Sequence, residues 1–434
     1  MPAIAFVSTR AASPSVSLSQ AIEQGLAPDG GLFIPQQMPT VNHSSACDPT
    51  HLPSVARVSL AGFFQGDRLE AKLPQIVDAA LNIEAPTTRV EKSAQPLHVL
   101  ELFHGPTAAF KDFGARFLAE SLQHLQSPGA APSTILVATS GDTGGAVAAA
   151  FHRRPWARVI VLFPKGMVSP RQEQQLTCWG DNVIALRIGG TFDDCQRMVK
   201  EAFQDGQLQR QHRFSSANSI NIGRLLPQSV YYAASSLQLH RESGIKPSYI
   251  IPSGNLGNVS AALWARVLGF PIGRIVLAHN LNRAVPDYLQ SGVWQPRKSI
   301  ATLASAMDVG NPSNMERLRG KFPSVESLRE QLSADSVDDP TIQSRIRQDF
   351  ANWGRQWCPH TATAAEVYQR LPDTERERPW VIVSTAHPAK FNDVVEPLLG
   401  TTVKVPDSLA RLLNLPARCA DIPPTLAALA EAIR

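Results

Sequence analysis

Short apolar runs alternate with helix-like stretches along most of the chain. Six runs have the length and the β-branched content of strands, at residues 134–139, 158–164, 182–188, 248–252, 274–279 and 380–385. Helical patterns begin at residue 146 and cover 193–203 and 258–268. Strands that alternate with helices are typical of βαβ units, in which the strands lie parallel. Because the units fall into two groups, we predict an α/β fold with two open parallel sheets.

The first hundred residues do not share this alternation, since they contain fewer strand-like runs and more proline. We therefore predict three parts. An N-terminal segment would comprise residues 1–100, a larger α/β domain 101–130 and 206–434, and a smaller inserted α/β domain 131–205. Residues 39–53 are proline-rich and predict a surface loop, whereas the Asp- and Arg-rich residues 333–349 predict a solvated helix or loop.

Composition narrows the possible function classes. The chain has 434 residues, with 41 Lys and Arg against 37 Asp and Glu, which gives a formal net charge of +4. So small a charge on a long chain argues against a dedicated nucleic-acid-binding protein. A hydrophobic fraction of 43% excludes disorder as the main description. No apolar run approaches the ~20 residues that span a bilayer, so no membrane association is expected.

The five cysteines are scattered and show no CxxC spacing, which argues against a disulfide framework and against the usual zinc site. We therefore predict a cytoplasmic protein without a metal. His43, Cys47 and His51 lie four residues apart, but in the proline-rich loop rather than on a helix. Cys358 and His360 flank a proline, where side chains rarely converge. Neither set is predicted to form a site.

The segment HGPTAAFKDFG, at residues 104–114, is a candidate for chemistry. A strand-like run at 97–103 precedes it, and a helix with one apolar face follows it. Lys111 would lie at the start of that helix. Partial burial and the positive end of the helix dipole both favour a neutral, nucleophilic amine there, as Schiff-base chemistry requires. The local pattern by itself fits an ordinary surface lysine as well.

Three more loops follow predicted strands, where α/β sheets bind ligands. TSGDTGG (139–145) and PSGNLGN (252–258) each precede a helix, so backbone N–H groups and a helix N-terminus would face an anion. A plain glycine turn is an equal interpretation of TSGDTGG. STAHPAK (384–390) offers a hydroxyl, while its His387 fits a turn held by backbone hydrogen bonds. Two anion loops and one lysine indicate a phosphorylated cofactor and an anionic substrate.

These four segments closely resemble signature motifs of the threonine synthase family, which are pyridoxal-phosphate enzymes of fold type II, the tryptophan synthase β type. Further matching stretches are STR (8–10), LAPDGGLFIP (26–35), PKGMVSPRQ (164–172), GTFDDCQ (190–196), NSIN (218–221), LLPQ (225–228) and DVGNPSNMERL (308–318). The matches run from residue 8 to about residue 391. The chain departs from the family at Leu256, often phenylalanine, at Ile222-Gly223, commonly Trp-Ala, and at Ala11, commonly glycine.

The resemblance implies that pyridoxal 5′-phosphate is the cofactor and that Lys111 holds it as a Schiff base and acts as the catalytic base. The cofactor phosphate would be bound by Gly254, Asn255, Leu256, Gly257 and Asn258. Phe110, Asp142 and Thr385 would complete the cofactor site, with the Thr385 hydroxyl at the pyridine nitrogen.

The resemblance also implies a reaction, in which O-phospho-L-homoserine and water give L-threonine and phosphate. Ser140, Gly141 and Thr143 would face the substrate carboxylate. Lys165 and Arg171 flank a predicted helix start and are candidates for the substrate phosphate, unless they are surface charges beside a capped helix. The protein would be a monomer or a homodimer.

Of four alternative functions, the sequence leaves one open and argues against three. A phospho-lyase that releases 2-oxobutyrate on the same fold stays open, because the difference lies in where water attacks. The LAPDGGLFIP segment favours a threonine synthase over a serine or threonine dehydratase. The intact lysine and phosphate loop argue against a catalytically silent regulator. A nucleotide-dependent dehydrogenase would need a GxGxxG loop and an acidic ribose partner, which the sequence lacks.

Overall fold

The computed structural model describes residues 3–41 and 47–434. Up to residue 101 the elements are β1 (Phe6–Ser8), α1 (Leu18–Gln24), β2 (Phe33–Pro35), α2 (Leu52–Phe64), α3 (Leu73–Ala80), β3 (Thr87–Arg89) and β4 (Leu97–Glu101). Next come α4 (Lys111–Leu125), β5 (Ser133–Ala138), α5 (Asp142–Phe151), β6 (Ala157–Pro164), α6 (Pro170–Thr177), β7 (Val183–Ile188), α7 (Phe192–Gln204), α8 (Gly206–His212), β8 (Phe214–Ser215) and α9 (Ile222–Leu225).

The second half contains α10 (Gln228–Ser243), β9 (Ser248–Pro252), α11 (Gly257–Val267), β10 (Ile275–His279), α12 (Ala284–Ser291), α13 (Met315–Lys321), α14 (Val325–Arg329), β11 (Ser333–Ser336), α15 (Asp339–Trp353), α16 (Pro359–Gln369) and α17 (Asp373–Arg376). The chain ends with β12 (Trp380–Ser384), α18 (Asn392–Leu399), α19 (Asp407–Leu413), β13 (Ala420–Ile422) and α20 (Leu426–Ala432). Short 3-10 helices cover Glu70–Lys72, Ser305–Met307 and Pro388–Phe391.

Two mainly parallel sheets form the core, as the α/β prediction requires. The larger sheet has the strand order β11-β10-β9-β12-β4-β3, and its pairs are parallel except that of β3 with β4. The smaller sheet has the order β13-β7-β6-β5-β8 and is parallel throughout. Strands β9, β10 and β12 are buried along their whole length, which explains their continuous apolar sequences.

The strand pairs also show which part of the chain builds each sheet. Residues 87–101 form β3 and β4 of the larger sheet, within the range predicted as the N-terminal segment. Strands β8 and β13 extend the smaller sheet from outside the predicted range 131–205. The strands β3, β8 and β13 lie at sheet edges and are only two or three residues long, so they carry little apolar pattern and are recruited by backbone pairing, whereas β4 lies inside the larger sheet and coincides with the strand-like run at 97–103.

One predicted loop contains a strand. Residues 333–336, expected in a solvated helix or loop, form β11, and α15 follows from Asp339. This strand pairs with β10 at the edge of the sheet, where a polar sequence costs little. Among the helices of the described residues, none combines the length and the apolarity that crossing a membrane requires.

Candidate active site

A cavity of about 1140 Å³ opens where the predicted loops meet. The residues that follow β5, β9 and β12 line it, together with the start of α4. All four chemical segments of the sequence analysis therefore contribute to a single site. The loops after β4, β9 and β12 come together because these parallel strands end on the same side of the larger sheet, and the smaller sheet contributes the loop after β5.

Lys111 is the first residue of α4 and lines this cavity. The turn before it is held by Asp112, which is fully buried. The Asp112 carboxylate accepts hydrogen bonds from the Thr107 amide at 2.9 Å and from the Thr107 hydroxyl at 2.7 Å. Asp112 thus fixes the backbone from which the Lys111 side chain extends.

The surroundings of Lys111 favour its neutral form. Burial lowers the pKa of the Lys111 ammonium group from 10.5 to about 8. The Asp142 carboxylate opposes this change, whereas the positive charges of Lys390 and Arg224 add to it. About a tenth of the amine is therefore unprotonated at pH 7, a few hundred times more than in an ordinary lysine, and an unprotonated amine is the nucleophile that attacks an aldehyde.

Backbone hydrogen bonds join the loop before α4 to the loop after β12. The Phe110 amide donates to the Thr385 carbonyl at 2.8 Å, and the Leu102 amide donates to the Ser384 carbonyl at 2.9 Å. Phe110 and Thr385 both line the cavity, and the Lys111 Nζ lies 5.6 Å from the centre of the Phe110 ring. These hydrogen bonds thus fix the positions of Lys111 and the Thr385 hydroxyl, which were predicted to bind the same ligand, relative to each other.

The loop TSGDTGG is organised by Thr139. Its hydroxyl oxygen accepts hydrogen bonds from the amides of Gly141, at 3.0 Å, and Gly144, at 2.9 Å. Ser140 and Thr143 line the cavity, as expected for substrate contacts.

Gly141 has a different position from its neighbours, since it is not among the cavity-lining residues. Its φ of 129° and the Gln172 side chain, which would lie 2.6 Å from an added Cβ, require glycine here. Without that Cβ, Gln172 can donate to the Asp142 carboxylate at 2.9 Å. Asp142 is buried and lines the cavity, and the charges of Lys390 and Lys111 hold its pKa well below its usual range.

The loop PSGNLGN forms a close cradle at the start of α11. An added Cβ at Gly254 would lie 2.9 Å from the Met307 Cα, which is backbone and cannot rotate away. Leu256 adopts a left-handed conformation with φ of 62°, and α11 begins at the next residue, Gly257. Backbone N–H groups at a helix start bind anions.

The two asparagines of this loop have different partners. The Asn255 side chain donates to the Ser219 hydroxyl at 2.6 Å and accepts from the Ser313 amide at 2.5 Å, so it fixes the loop rather than facing a ligand. The Asn258 side-chain oxygen accepts from the hydroxyls of Tyr231 and Tyr232, at 2.5 and 2.9 Å. The Asn258 Nδ2 is buried without a protein partner and is available as a donor to a ligand.

Arg224 is a site residue that the sequence analysis did not single out. Its side chain is 1% exposed, lines the cavity and donates to the Ala217 carbonyl, while its Nε has no protein partner. Within residues 3–41 and 47–434, no carboxylate forms an ion pair with it. Burial lowers its pKa to about 10, so the guanidinium stays charged at neutral pH. Its only sequence signal was its place between the matched stretches NSIN and LLPQ.

The predicted phosphate ligands Lys165 and Arg171 are not brought to the cavity. The Lys165 Nζ lies 2.7 Å from the Asp421 carboxylate on an exposed surface. Arg171 donates to the Ala389 carbonyl at 2.6 Å. Ser169, by contrast, caps α6 with Gln172 as its sequence predicts, so the helix start was identified correctly although its cations point elsewhere.

Two histidines near the site have different environments. The His387 Nδ1 accepts from the Ala389 amide at 3.1 Å, which confirms the predicted turn. The His360 Nε2 accepts from the Ala306 amide at 3.0 Å, and its buried Nδ1 has no protein partner. His360 lines the cavity, and burial lowers its pKa to about 4, so it is neutral. The sequence analysis weighed His360 only as a partner of Cys358 and did not predict it at this site, because α16 brings it to the cavity from far along the chain.

In the described part of the chain, no group of three or more His, Cys, Asp or Glu side chains could hold a metal ion. His43, which belongs to the spacing His43, Cys47 and His51, lies outside the described residues. Cys358 caps α16 by accepting from the Thr361 amide at 3.5 Å.

The donors in the cavity fit a phosphorylated aldehyde. A lysine of lowered pKa can attack the aldehyde, the Gly254–Asn258 cradle can bind a phosphate, and the unpaired Asn258 Nδ2 and His360 Nδ1 can donate hydrogen bonds. Arg224 provides a further buried positive charge for a second anion.

Comparison with family models agrees with this chemistry. A model described as "Pyridoxal-phosphate dependent enzyme" matches residues 83–386. The models "Threonine synthase N terminus" and "Threonine synthase, C-terminal" match residues 5–81 and 361–433.

Whole proteins and solved structures are similar over nearly the full length. The threonine synthase of Escherichia coli is 40% identical over 417 residues, which covers 95% of each chain. That of Saccharomyces cerevisiae is 32% identical, covering 91% of this chain and 88% of the relative. The crystal structure of the Escherichia coli threonine synthase superposes with a TM-score of 0.86 at 37% identity, over 99% of both chains. A threonine synthase structure with bound PLP from Brucella melitensis gives a TM-score of 0.91 at 32% identity, over 99% of both chains.

Proposed function

The chain belongs to the threonine synthase family of pyridoxal-phosphate-dependent enzymes, and we propose that it converts O-phospho-L-homoserine and water into L-threonine and phosphate. One observation carries the substrate assignment. The cavity combines a lysine of lowered pKa, a glycine-rich cradle and a separate buried arginine, which feels the charge of Asp112 but forms no ion pair among the described residues. A phosphorylated cofactor accounts for the cradle, and a phosphorylated substrate accounts for the arginine.

We propose that the cofactor is held as the sequence implied. Lys111 binds it covalently, and Gly254, Asn255, Leu256, Gly257 and Asn258 bind its phosphate. Asn255 acts through its backbone, because its side chain is engaged by Ser219 and Ser313. The Thr385 hydroxyl faces the ring nitrogen, and Phe110 and Asp142 border the ring. When bound, pyridoxal phosphate withdraws electrons from the substrate Cα and so eases loss of its proton.

We propose that the substrate is oriented by its two anionic ends. Ser140 and Thr143 bind its carboxylate, and Gly141 supports them from behind the cavity wall. Arg224 binds its phosphate in place of Lys165 and Arg171, because among the described residues it is the arginine that is both buried and part of the cavity lining. A guanidinium group suits this task, since its planar fork matches phosphate oxygens.

One side chain is assigned to proton transfer at the substrate Cα. The Lys111 amine, once released from the cofactor, accepts the Cα proton of the substrate, as general-base catalysis requires. The cavity must exclude water until the phosphate has left, and we propose that the smaller domain does this by closing over it. We propose that this domain comprises the smaller sheet, with β8 and β13, and the helices packed on it.

The proposed reaction is tested by measuring phosphate, threonine and 2-oxobutyrate together on the purified holoenzyme with O-phospho-L-homoserine. We expect threonine to equal phosphate, and Lys111→Ala to abolish both. The variant should also lose the borohydride-trapped cofactor adduct. Phosphate matched by 2-oxobutyrate would assign the protein to the phospho-lyase alternative, and no phosphate release would refute the substrate.

We also propose a cytoplasmic protein that works as a monomer or a homodimer. All five cysteines are free, which supports a reducing compartment. Cell fractionation and light scattering of the holoenzyme test these two proposals.

A further inference from the structure

Lys390 is a second buried lysine close to the active site. Its side chain is 1% exposed, in the 3-10 helix that follows β12. Its Nζ lies 2.9 Å from the Asp142 Oδ1 and donates to the Thr107 carbonyl at 2.7 Å. The partner Asp142 is 4% exposed, so both charges of this pair are removed from water.

The pair joins the two parts of the site. Asp142 begins α5 beside the smaller sheet, whereas Lys390 and Thr107 belong to the loops of the larger sheet. Gln172 donates to the same Asp142 oxygen, and Gln175 donates to the same Thr107 carbonyl at 3.0 Å. Gln172 therefore also holds the Asp142 end of the ion pair, and the Thr107 carbonyl, itself bound by Gln175, holds the Lys390 end.

Lys111 lies within the electrostatic reach of this pair. Asp142 favours the protonated form of Lys111, while Lys390 disfavours it. The other charge acting from a neighbouring element is that of Arg224 on α9, which also disfavours protonation, and His360 on α16 is neutral. The buried Asp142 carboxylate is thus close to two lysines. Because Lys390 forms the ion pair with it, Lys111 is the lysine that more readily loses its proton.

We propose that Lys390 is a positioning residue that acts as the counterion of Asp142, and thereby makes the Lys111 amine easier to deprotonate for capture of the cofactor. This inference deepens the proposed function and rests on its assignment of Lys111. It needs no contact between Lys390 and the substrate. It also gives a reason for a lysine whose ammonium group is buried away from the cavity lining.

The charges predict opposite effects for two variants. Lys390→Met leaves Asp142 with Lys111 as its remaining lysine partner, so Lys111 becomes harder to deprotonate. Asp142→Asn leaves the Lys390 charge unbalanced, so Lys111 becomes easier to deprotonate. The double variant Lys390→Met with Asp142→Asn removes both charges and restores the balance. A merely structural role of Lys390 predicts no such reversal of sign.

The experiment measures the rate at which the full-length, cofactor-stripped chain captures pyridoxal phosphate, as a function of pH. In this reaction the neutral amine attacks the aldehyde carbon, a C=N bond forms and the aldehyde oxygen leaves as water. We expect Lys390→Met to raise the midpoint of the profile by about one pH unit or more, as for the loss of a neighbouring charge. Asp142→Asn should lower the midpoint, and the double variant should return it toward the wild-type value.

Two controls keep the result interpretable. Lys404→Met removes an exposed lysine and should leave the midpoint unchanged. Circular dichroism must show that each variant is folded. If a single variant is unstable, the midpoint measured for the double variant still tests the proposal. An unchanged midpoint in Lys390→Met, or the same upward change in the double variant, would overturn the proposal. Because no substrate is added, failure to make threonine leaves this result untouched.

Discussion

At Lys111, several separate elements act on the protonation of one amine. Burial lowers its pKa, and the side chains that modify the effect come from α5, α9 and the 3-10 helix after β12. The lysine itself could be predicted from sequence, because its segment matches a known motif and begins a helix. Its partners Lys390 and Arg224 could not be assigned their roles, since only the folded chain shows which charges are buried beside it.

A first prediction concerns Arg224. We expect Arg224→Gln to lower kcat/KM for O-phospho-L-homoserine by about 10- to 100-fold, because a hydrogen bond to a charged group contributes ~1.5–3 kcal/mol. Steady-state kinetics with phosphate detection measure this loss. Lys165→Gln is the matched control and should be nearly neutral, since Lys165 lies at an exposed surface. Equal losses in both variants would contradict the assignment of Arg224.

At the scale of the element, the start of α11 combines a helix N-terminus with a loop fixed from outside. Asn314 donates to the Asn255 carbonyl at 2.9 Å, and the buried Arg317 donates to Asn314 and to the Phe33 carbonyl, which belongs to β2. The sequence predicted the glycine loop and the helix after it. It did not predict that Asn255 would support the loop, because its partners come from the segment before α13 and from residue 219.

The second prediction tests the closeness of this cradle. Gly254→Ala places a Cβ 2.9 Å from the Met307 Cα, so the loop must move. We expect at least about a tenfold weaker affinity for pyridoxal phosphate, as follows from a cost of ~1.4 kcal/mol. Fluorescence titration measures this affinity.

Gly145→Ala is the matched control for that substitution. The added Cβ would lie 3.5 Å from the Gln175 Cβ, an ordinary contact, and alanine favours the helix interior. We expect the affinity of this variant to equal that of the wild type. A wild-type affinity in Gly254→Ala would show that the backbone around Met307 yields.

At the scale of the whole molecule, buried histidines link the fold to pH. Burial lowers the pKa of His279 to about 3 and that of His360 to about 4, well below the usual 6.5. The unfolded chain therefore binds protons at a higher pH than the folded one. Their stabilising effect is complete above pH 6.5 and is lost as the pH falls toward 4. Asp308 acts in the opposite sense, because burial raises its pKa to about 7.

The third prediction follows from His279, which is 1% exposed at the end of β10. Between pH 6 and pH 4, each such histidine reduces the free energy of unfolding by ~1.4 kcal/mol per pH unit. We expect His279→Gln to make the pH dependence shallower by about one proton. Urea unfolding at several pH values measures this slope. An unchanged slope in the variant would show that His279 takes up its proton without unfolding.

The overall architecture was predictable for a definite reason, namely that β9, β10 and β12 are buried on both faces and so consist of continuous apolar residues. The edge strands were not predictable. Strand β11 has the polar sequence SADS, and β13 has ADI, and each is recruited by backbone pairing to a neighbour. Short edges give no apolar period that a sequence pattern could reveal.

The position of β13 in the sheet has a consequence for how the chain folds during its synthesis. Strand β7, at Val183–Ile188, has β6 on one side and receives β13 on the other only when residues 420–422 arrive. At a synthesis rate of ~5–20 residues per second, the backbone groups on this side of β7 stay unpaired for tens of seconds. Unpaired strand edges are sites of aggregation. The nascent chain therefore depends on residues 420–422 to cover the apolar strand β7 with a short polar strand, and ribosomes that stop before them would release a product in which β7 is the unpaired edge.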